Sequence, residues 1–111
     1  AFSHYNNISA QIGLDPATGE LVAGGAAAQA EQACRNIQAI IENVEHTMAD
    51  AVKVNVYLRD LADLAAVEDV CARCFPGTPA FRAVGTSALP MDALVMIDAI
   101  FGNAEGTPPV A

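Results

Sequence analysis

"AVKVNVYLRD", residues Ala51 to Asp60, is the segment from which the fold of this chain can be worked out. Apolar side chains stand at every second position, which is the spacing of a strand with one buried face. The apolar positions are Val52, Val54, Val56 and Leu58, and the polar positions are Lys53, Asn55, Tyr57 and Arg59. One face of the strand is therefore predicted to meet helices, and the other to meet solvent or another subunit.

An amphipathic helix is predicted on each side of this strand. Between residues 26 and 45, apolar side chains recur every three or four positions, as in a helix packed on a sheet. A second apolar stripe runs from Leu64 to Phe75 after the capping candidates Asp60 and Asp63, and "PGTP" ends it. Strand–helix–strand connections of this kind predict some parallel pairing.

Both ends of the chain are predicted to form hairpins. "NISAQIGLDPATGELV" predicts strand, turn and strand, whereas "FRAVGTSA" and "ALVMIDAIF" predict two strands joined by the turn "LPMD". The expected order is β-β-α-β-α-β-β in a single domain, residues 1–111. This order predicts an α+β fold in which a mixed sheet carries two helices on one face. The second face carries an apolar last strand, so another subunit is expected to cover it.

Composition narrows the possible partners. Thirteen acidic residues against five basic ones give a formal net charge of −8, and the cations are scattered along the chain. Nucleic acid is a disfavoured partner, because binding to it requires clustered cations. The apolar runs are too short to span a membrane and the N-terminus lacks a secretory pattern. We therefore expect a cytoplasmic protein with no membrane partner.

The cysteines Cys34, Cys71 and Cys74 favour a reducing compartment, since an odd number does not suit a disulfide framework. "CARC" matches C-x-x-C, but its context is helical and no second ligand pair follows. His4 and His46 lack metal-ligand spacing. Packed or half-exposed thiols are the favoured interpretation, with a redox or metal role as the alternative. No metal or cofactor is expected.

Asp98 is the one charged residue in "ALVMIDAI", residues 93–100. A carboxylate within a buried strand is costly unless it is paired or neutral. Alternation places Met96 and Ile100 on its face of the strand, where they would form an apolar wall beside it. The sequence therefore predicts that Asp98 has a specific partner or a specific task.

Three segments in order resemble the Rid (reactive intermediate deaminase) proteins, also called YjgF-like. They are "SAQIGLDPATGELV", "VKVNVYLRDLADLAAVEDV" and "LPMDALVMIDAI", and the likeness extends from Ile8 to Ile100. The resemblance implies a chorismate-mutase-like (bacillus type) α+β fold and a homotrimer with sites in the clefts between subunits. It also implies hydrolysis of enamines and imines, such as 2-aminoacrylate, to 2-keto acids and ammonia.

Two residues are the candidates for catalysis on this resemblance. Asp98 matches the acidic position of the family's last strand, where it would orient water and give a proton to the leaving nitrogen. The alternative is a purely structural Asp98. The family also uses an Arg to grip the substrate carboxylate. A gap-free count along "PAFRAVGTSALP" puts Phe81 at that position and aims Arg82 out of the cleft, unless a β-bulge near Gly85 restores it. The alternative for Arg82 is a surface or interface cation.

Further positions are expected to line the substrate cleft because they match, or stand in for, cleft residues of the family. "SAQ" corresponds to the family's "SGQ", and "FSHY" resembles "PYSQ", although the segment before "NNIS" is shorter than the family's first strand. The substrate-binding candidates are Phe2, Tyr5, Ser9, Ala10, Gln11, Glu68 and Phe81.

Three functions compete at this point. The first is an imine deaminase that uses Arg82, Asp98 and a water molecule. The second is a non-catalytic trimeric module that binds small carboxylates or regulates a partner, which the departures at Phe81 and Ala10 favour. The third is a ribonuclease, an activity attached to the family, which the acidic charge and the lack of a His pair disfavour.

Overall fold

The computed structural model describes residues 5–102, with side chains from Ala10 onward. The elements are β1 (Tyr5–Ile12), α1 (Gly25–Glu42), β2 (Ala51–Leu58), α2 (Leu64–Cys74), β3 (Ala80–Gly85) and β4 (Val95–Gly102). The four strands form one sheet in the order β1-β4-β2-β3, in which only the β2–β3 pair is parallel. The predicted α+β fold, a mixed sheet carrying two helices, is confirmed.

One face of the sheet is buried beneath the helices. The side chains of Val95, Ile97, Ala99 and Phe101 on β4 are fully buried, whereas Met96, Asp98 and Ile100 between them are half-buried. β2 follows the same pattern with Val54, Val56 and Leu58. The helices complete this core with Ala30, Cys34, Ile37 and Ile41 of α1 and with Val67, Val70 and Cys71 of α2.

The opposite face of the sheet carries no helix of the described chain, and we call it the open face. Its side chains on β2, β3 and β4 are Lys53, Asn55, Tyr57, Arg82, Val84, Met96, Asp98 and Ile100, as the strand alternation and register place them. It therefore combines polar and apolar groups in a way that the helix-covered face does not.

Of the two predicted hairpins, the first is present only as a short arm and the second is wrong. After β1, a bridge between Leu14 and Leu21, flanked by the backbone hydrogen bonds Asp15–Glu20 and Val22–Gly13, forms the expected short second arm. The chain turns away there through Gly24 and Gly25, whose φ angles of 115° and 88° suit glycine, and α1 begins. At the other end, β4 lies between β1 and β2, whereas β3 pairs with β2. Alternation specifies which face a side chain occupies, but it leaves open which strands are neighbours.

Two predicted apolar stripes, in β2 and in α1, include end residues that are exposed in the structure. Val52 was expected in the core but is 44% exposed, because the register of β2 against β4 shifts between Ala51 and Lys53. Ile40 and Val44 are likewise exposed at the end of α1, which stops at Glu42 and not near residue 45. The helices and the central strand otherwise follow the predicted stripes.

Candidate functional site

Three polar residues lie in a row across the open face. Asn55 of β2 stands opposite Asp98 of β4 on one side and opposite Arg82 of β3 on the other. Residues directly opposite each other on neighbouring strands project from the same face. Arg82 and Asp98 therefore share the open face with one strand between them, and their backbones are about 10 Å apart at the usual strand spacing.

The Asp98 carboxylate is held by two donors from β2. Asn55 donates from Nδ2 to Oδ1 of Asp98 at 2.8 Å, and the Tyr57 hydroxyl donates to Oδ2 at 3.1 Å. Both bonds compensate the carboxylate for its partial burial, and they fix the direction in which it points. The free-energy cost of partly burying the Asp98 carboxylate in an apolar strand is thus offset by hydrogen bonds from its own chain.

Tyr57 is the electrostatic partner of Asp98. Its pKa is raised above the ordinary value of 10.0, mainly because its hydroxyl donates a hydrogen bond to the Asp98 carboxylate. Desolvation raises the pKa further, and the positive charge of Arg82 opposes the shift. Tyr57 therefore remains a neutral hydrogen-bond donor at neutral pH.

A shallow cavity of about 360 Å³ opens beside this row on the same face. Its lining includes Lys53, Asn55, Tyr57 and Arg82, so two of the five cations of the chain stand here. Within the part of the chain that the structure describes, no carboxylate forms an ion pair with Arg82. A small anion can therefore approach its guanidinium group.

A β-bulge near Gly85 is not needed to bring Arg82 to this face. The parallel register of β2 and β3 runs without a shift from the pair Lys53–Ala80 to the pair Leu58–Gly85. Phe81 stands opposite Val54 and packs against the helix-side core, which places Arg82 on the open face. The gap-free count was therefore wrong in aiming Arg82 away from Asp98.

A β-bulge does occur in β1, next to Asp98. Ile8 pairs with Ala99 and Gln11 pairs with Ile97, so Ser9 and Ala10 together stand against the single position Asp98. A bulge of this kind leaves one residue outside the regular ladder, and bulges recur beside active sites. The structure thus brings two of the predicted substrate-binding residues next to the predicted catalytic carboxylate along the backbone of β1.

The remaining candidates lie elsewhere. Glu68 and Phe81 line a separate cavity of about 220 Å³ at α2, on the helix side of the sheet. Gln11 is opposite Ile97, a residue of the helix-covered face. Tyr5 belongs to β1 without a described side chain, and Phe2 lies outside the described residues. A single subunit therefore does not gather all the predicted cleft residues.

Sequence reasoning gave no role in the site to the β2 residues Asn55 and Tyr57. The alternation in "KVNVYL" placed both on the polar face, which was the available signal. What the sequence did not supply was the register of β2 against β4, which decides that these two side chains meet Asp98. Lys53 lies on the same face for the same reason.

Two further findings bear on the kind of site. Among the described residues, no group of three or more His, Cys, Asp or Glu side chains is placed to hold a metal ion. No helix in that same part of the chain is long and apolar enough to cross a membrane.

Comparison with known proteins gives consistent matches. A family described as Endoribonuclease L-PSP matches residues 4–101. The 2-iminobutanoate/2-iminopropanoate deaminase of Capra hircus is 42% identical over 94 residues, 84% of this chain and 69% of that protein. The crystal structure of RidA from an Antarctic Psychrobacter shares 39% identity and a TM-score of 0.85, covering 93% of this chain and 84% of that one. E. coli TdcF, solved with bound serine, shares 28% identity and a TM-score of 0.84, covering 93% of this chain and 84% of that one.

Proposed function

Because the chain belongs to the endoribonuclease L-PSP family, which includes the Rid proteins, we propose that it hydrolyses small 2-imino acids and their enamine tautomers. The products are 2-keto acids and ammonia. The observation that carries the proposal is the Arg82–Asn55–Asp98 row on the open face. The activity in the name of the Capra hircus relative supports the same substrate class.

Arg82 binds the substrate carboxylate in this proposal. Its guanidinium offers two parallel N–H donors that match the two oxygens of a carboxylate. Lys53 lines the same cavity and adds a second positive charge. The strand between Arg82 and Asp98 leaves room for a substrate of a few carbon atoms, with its imine carbon toward Asp98.

Asp98 orients the water and transfers the proton. The water oxygen attacks the imine carbon, and the proton that the water loses passes through Asp98 to the nitrogen. The resulting carbinolamine then gives its hydroxyl proton, again through Asp98, to the amino nitrogen, so that the carbon–nitrogen bond breaks, ammonia leaves and the carbonyl group forms. Backbone groups of Ser9 and Ala10 at the β1 bulge stand beside the reacting atoms, because the bulge faces Asp98.

Asn55 and Tyr57 are positioning residues for the carboxylate. Each donates one hydrogen bond to Asp98, so the carboxylate cannot rotate freely between orientations. Fixed orientation matters because proton transfer and water attack both require reacting atoms at hydrogen-bond distance. Loss of either donor is expected to affect turnover more than substrate affinity.

A homotrimer with its sites between subunits belongs to the same proposal. The open face carries the half-buried apolar residues Met96 and Ile100 beside polar groups, which suits contact with another copy of the chain. In the single subunit, Glu68 and Phe81 lie in another cavity from Arg82. Light scattering at micromolar concentration is expected to give the mass of a trimer, and a monomer mass would refute this part.

The activity is tested with an imine made in the cuvette. An amino-acid oxidase converts alanine to 2-iminopropanoate, and semicarbazide traps whatever imine escapes hydrolysis. The protein is expected to lower the amount of imine-derived adduct, whereas the variant Arg82→Ala lowers it much less. Arg59→Ala is the matched control, because Arg59 is also an exposed cation but pairs loosely with Asp92 at 3.8 Å.

A non-catalytic carboxylate-binding module is the second candidate. It is favoured by one observation, namely that both oxygens of Asp98 already accept hydrogen bonds from the same chain. Calorimetric titration with pyruvate separates the two candidates when it is combined with the trapping assay. Pyruvate binding that depends on Arg82, without acceleration of imine hydrolysis, would show that the protein is a binding module and not an enzyme.

A further inference from the structure

The three cysteines come together where α1 packs against α2, on the helix side and away from the open face. Cys34 of α1 and Cys71 of α2 are buried, whereas Cys74, the last residue of α2, is half-buried. The Cys34 thiol interacts electrostatically with the thiols of both Cys71 and Cys74. Two thiols on different helices, Cys34 and Cys74, are thus neighbours where α1 packs against α2.

A cavity of about 410 Å³ gives access to this pair from outside. Cys34 and Cys74 both line it, together with Arg35 and Arg73. Cys71 does not line this cavity and instead faces the one that contains Phe81. The cavity therefore distinguishes Cys74 and Cys34 from the third cysteine.

The surroundings shift the pKa values of the Cys74 and Cys34 thiols in opposite directions. The hydrogen bond from Cys34, with smaller contributions from Arg73 and Arg35, lowers the pKa of Cys74 to about 7, although burial and Glu31 oppose the shift. The pKa of Cys34 is raised, mainly by its interactions with the thiols of Cys71 and Cys74 and also by its burial. Near neutral pH the pair thus holds one thiolate beside one thiol.

We propose that Cys74 and Cys34 form a peroxide-reactive dithiol, in which Cys74 reacts with a small hydroperoxide and Cys34 then closes a disulfide between α2 and α1. The thiolate is the nucleophile in such reactions, and a resolving thiol in contact prevents further oxidation. Neither residue belongs to the proposed deaminase site, so this activity is independent of the proposed function.

The chemistry consists of two balanced steps. The Cys74 thiolate attacks one oxygen of the hydroperoxide, the oxygen–oxygen bond breaks, and Cys74 becomes a sulfenic acid. The departing oxygen takes a proton from solvent and leaves as water or an alcohol. The Cys34 sulfur then attacks the Cys74 sulfur, the sulfur–sulfur bond forms, and the sulfenic oxygen leaves as water with the Cys34 proton.

The test uses the whole protein and hydrogen peroxide. After brief treatment near neutral pH, non-reducing peptide mapping is expected to find the Cys34 and Cys74 peptides joined, and intact mass to show the loss of two hydrogens. The rate should rise about tenfold per pH unit at acidic pH and level off above pH 7, following the Cys74 thiolate. A joined Cys34–Cys71 pair, or no disulfide at all, would overturn the proposal.

Variants assign the two roles. Cys34→Ser should leave a sulfenic acid on Cys74 that dimedone labels, whereas Cys74→Ser should form no intramolecular disulfide and no such adduct. Cys71→Ser is the matched control, a cysteine of the same cluster outside the cavity, and it should still give the Cys34–Cys74 disulfide. Dimedone labelling that is equal in wild type and Cys34→Ser would contradict Cys34 as the resolving thiol. The wild-type mapping stands even if a buried variant fails to fold.

Discussion

The two faces of the sheet differ in what their side chains do. On the helix-covered face, β4 contributes Val95, Ile97, Ala99 and Phe101, all with no exposed surface. On the open face, the same strand contributes Met96, Asp98 and Ile100, which are only half-buried in the subunit. One strand thus supplies both the core and the candidate site, because successive residues alternate between faces. Substitutions at neighbouring positions should therefore separate stability from chemistry.

The largest effect is expected when proton transfer is removed from the open face. Asp98→Asn keeps the shape and most hydrogen bonds of the side chain but cannot transfer a proton, so turnover should fall ~100- to 10,000-fold. Its melting temperature and its mass by light scattering should stay close to wild type. A variant that melts at a lower temperature but keeps the wild-type turnover would show that Asp98 has a structural role. The two faces of the sheet would then not differ in function.

On the helix-covered face the expected loss is of stability. Ile97→Ala removes a fully buried side chain and should lower the free energy of unfolding by ~2–5 kcal/mol, as lost transfer energy and a cavity combine. Val52→Ala is the control, since Val52 is 44% exposed on the same sheet and should change stability by ~0.5 kcal/mol or less. Urea denaturation measures both. Equal losses at the two positions would contradict the described core.

Substrate binding should weaken when Arg82, the cation proposed to bind the substrate carboxylate, is removed. Arg82→Ala loses a two-point hydrogen bond to the carboxylate worth ~1.5–3 kcal/mol, a loss of ~10- to 150-fold in kcat/KM. Arg82→Lys should recover only part of it, because an ammonium group cannot match both oxygens. Steady-state kinetics with Arg59→Ala as control checks this. Unchanged kinetics would show that Arg82 does not contact the substrate.

The smallest expected effect is a shift in a tyrosine titration. Tyr57 should ionise above its ordinary pKa of 10.0, and Asp98→Asn should bring the midpoint down, because the carboxylate is the main cause of the raised pKa. Since the folded pKa is raised, this contribution to stability is present below pH 10 and is lost as pH rises through the folded pKa. Ultraviolet difference spectra with Tyr57→Phe isolate Tyr57 from Tyr5. A midpoint unaffected by Asp98→Asn would contradict the hydrogen bond.

Periodicity was enough to predict the two helices, the four described strands and the sorting of β2 and β4 residues between faces. It was not enough to predict pairing. That β3 joins β2 and leaves β4 in the middle depends on tertiary packing, and so does the contact of Asn55 and Tyr57 with Asp98. Arg82 shows the same limit, because an offset of one residue in a comparison with a family pattern reversed its predicted face.

The position of Lys53 and Arg82 has a kinetic consequence. The chain as a whole carries a formal charge of −8, yet two of its five cations line one shallow cavity. A substrate with a carboxylate, as proposed, would be repelled by the whole molecule at long range and attracted only close to this cavity. Salt screens the long-range repulsion first, because the screening length is about 8 Å at physiological ionic strength. Moderate salt should thus speed encounter with this cavity, the reverse of ordinary electrostatic steering.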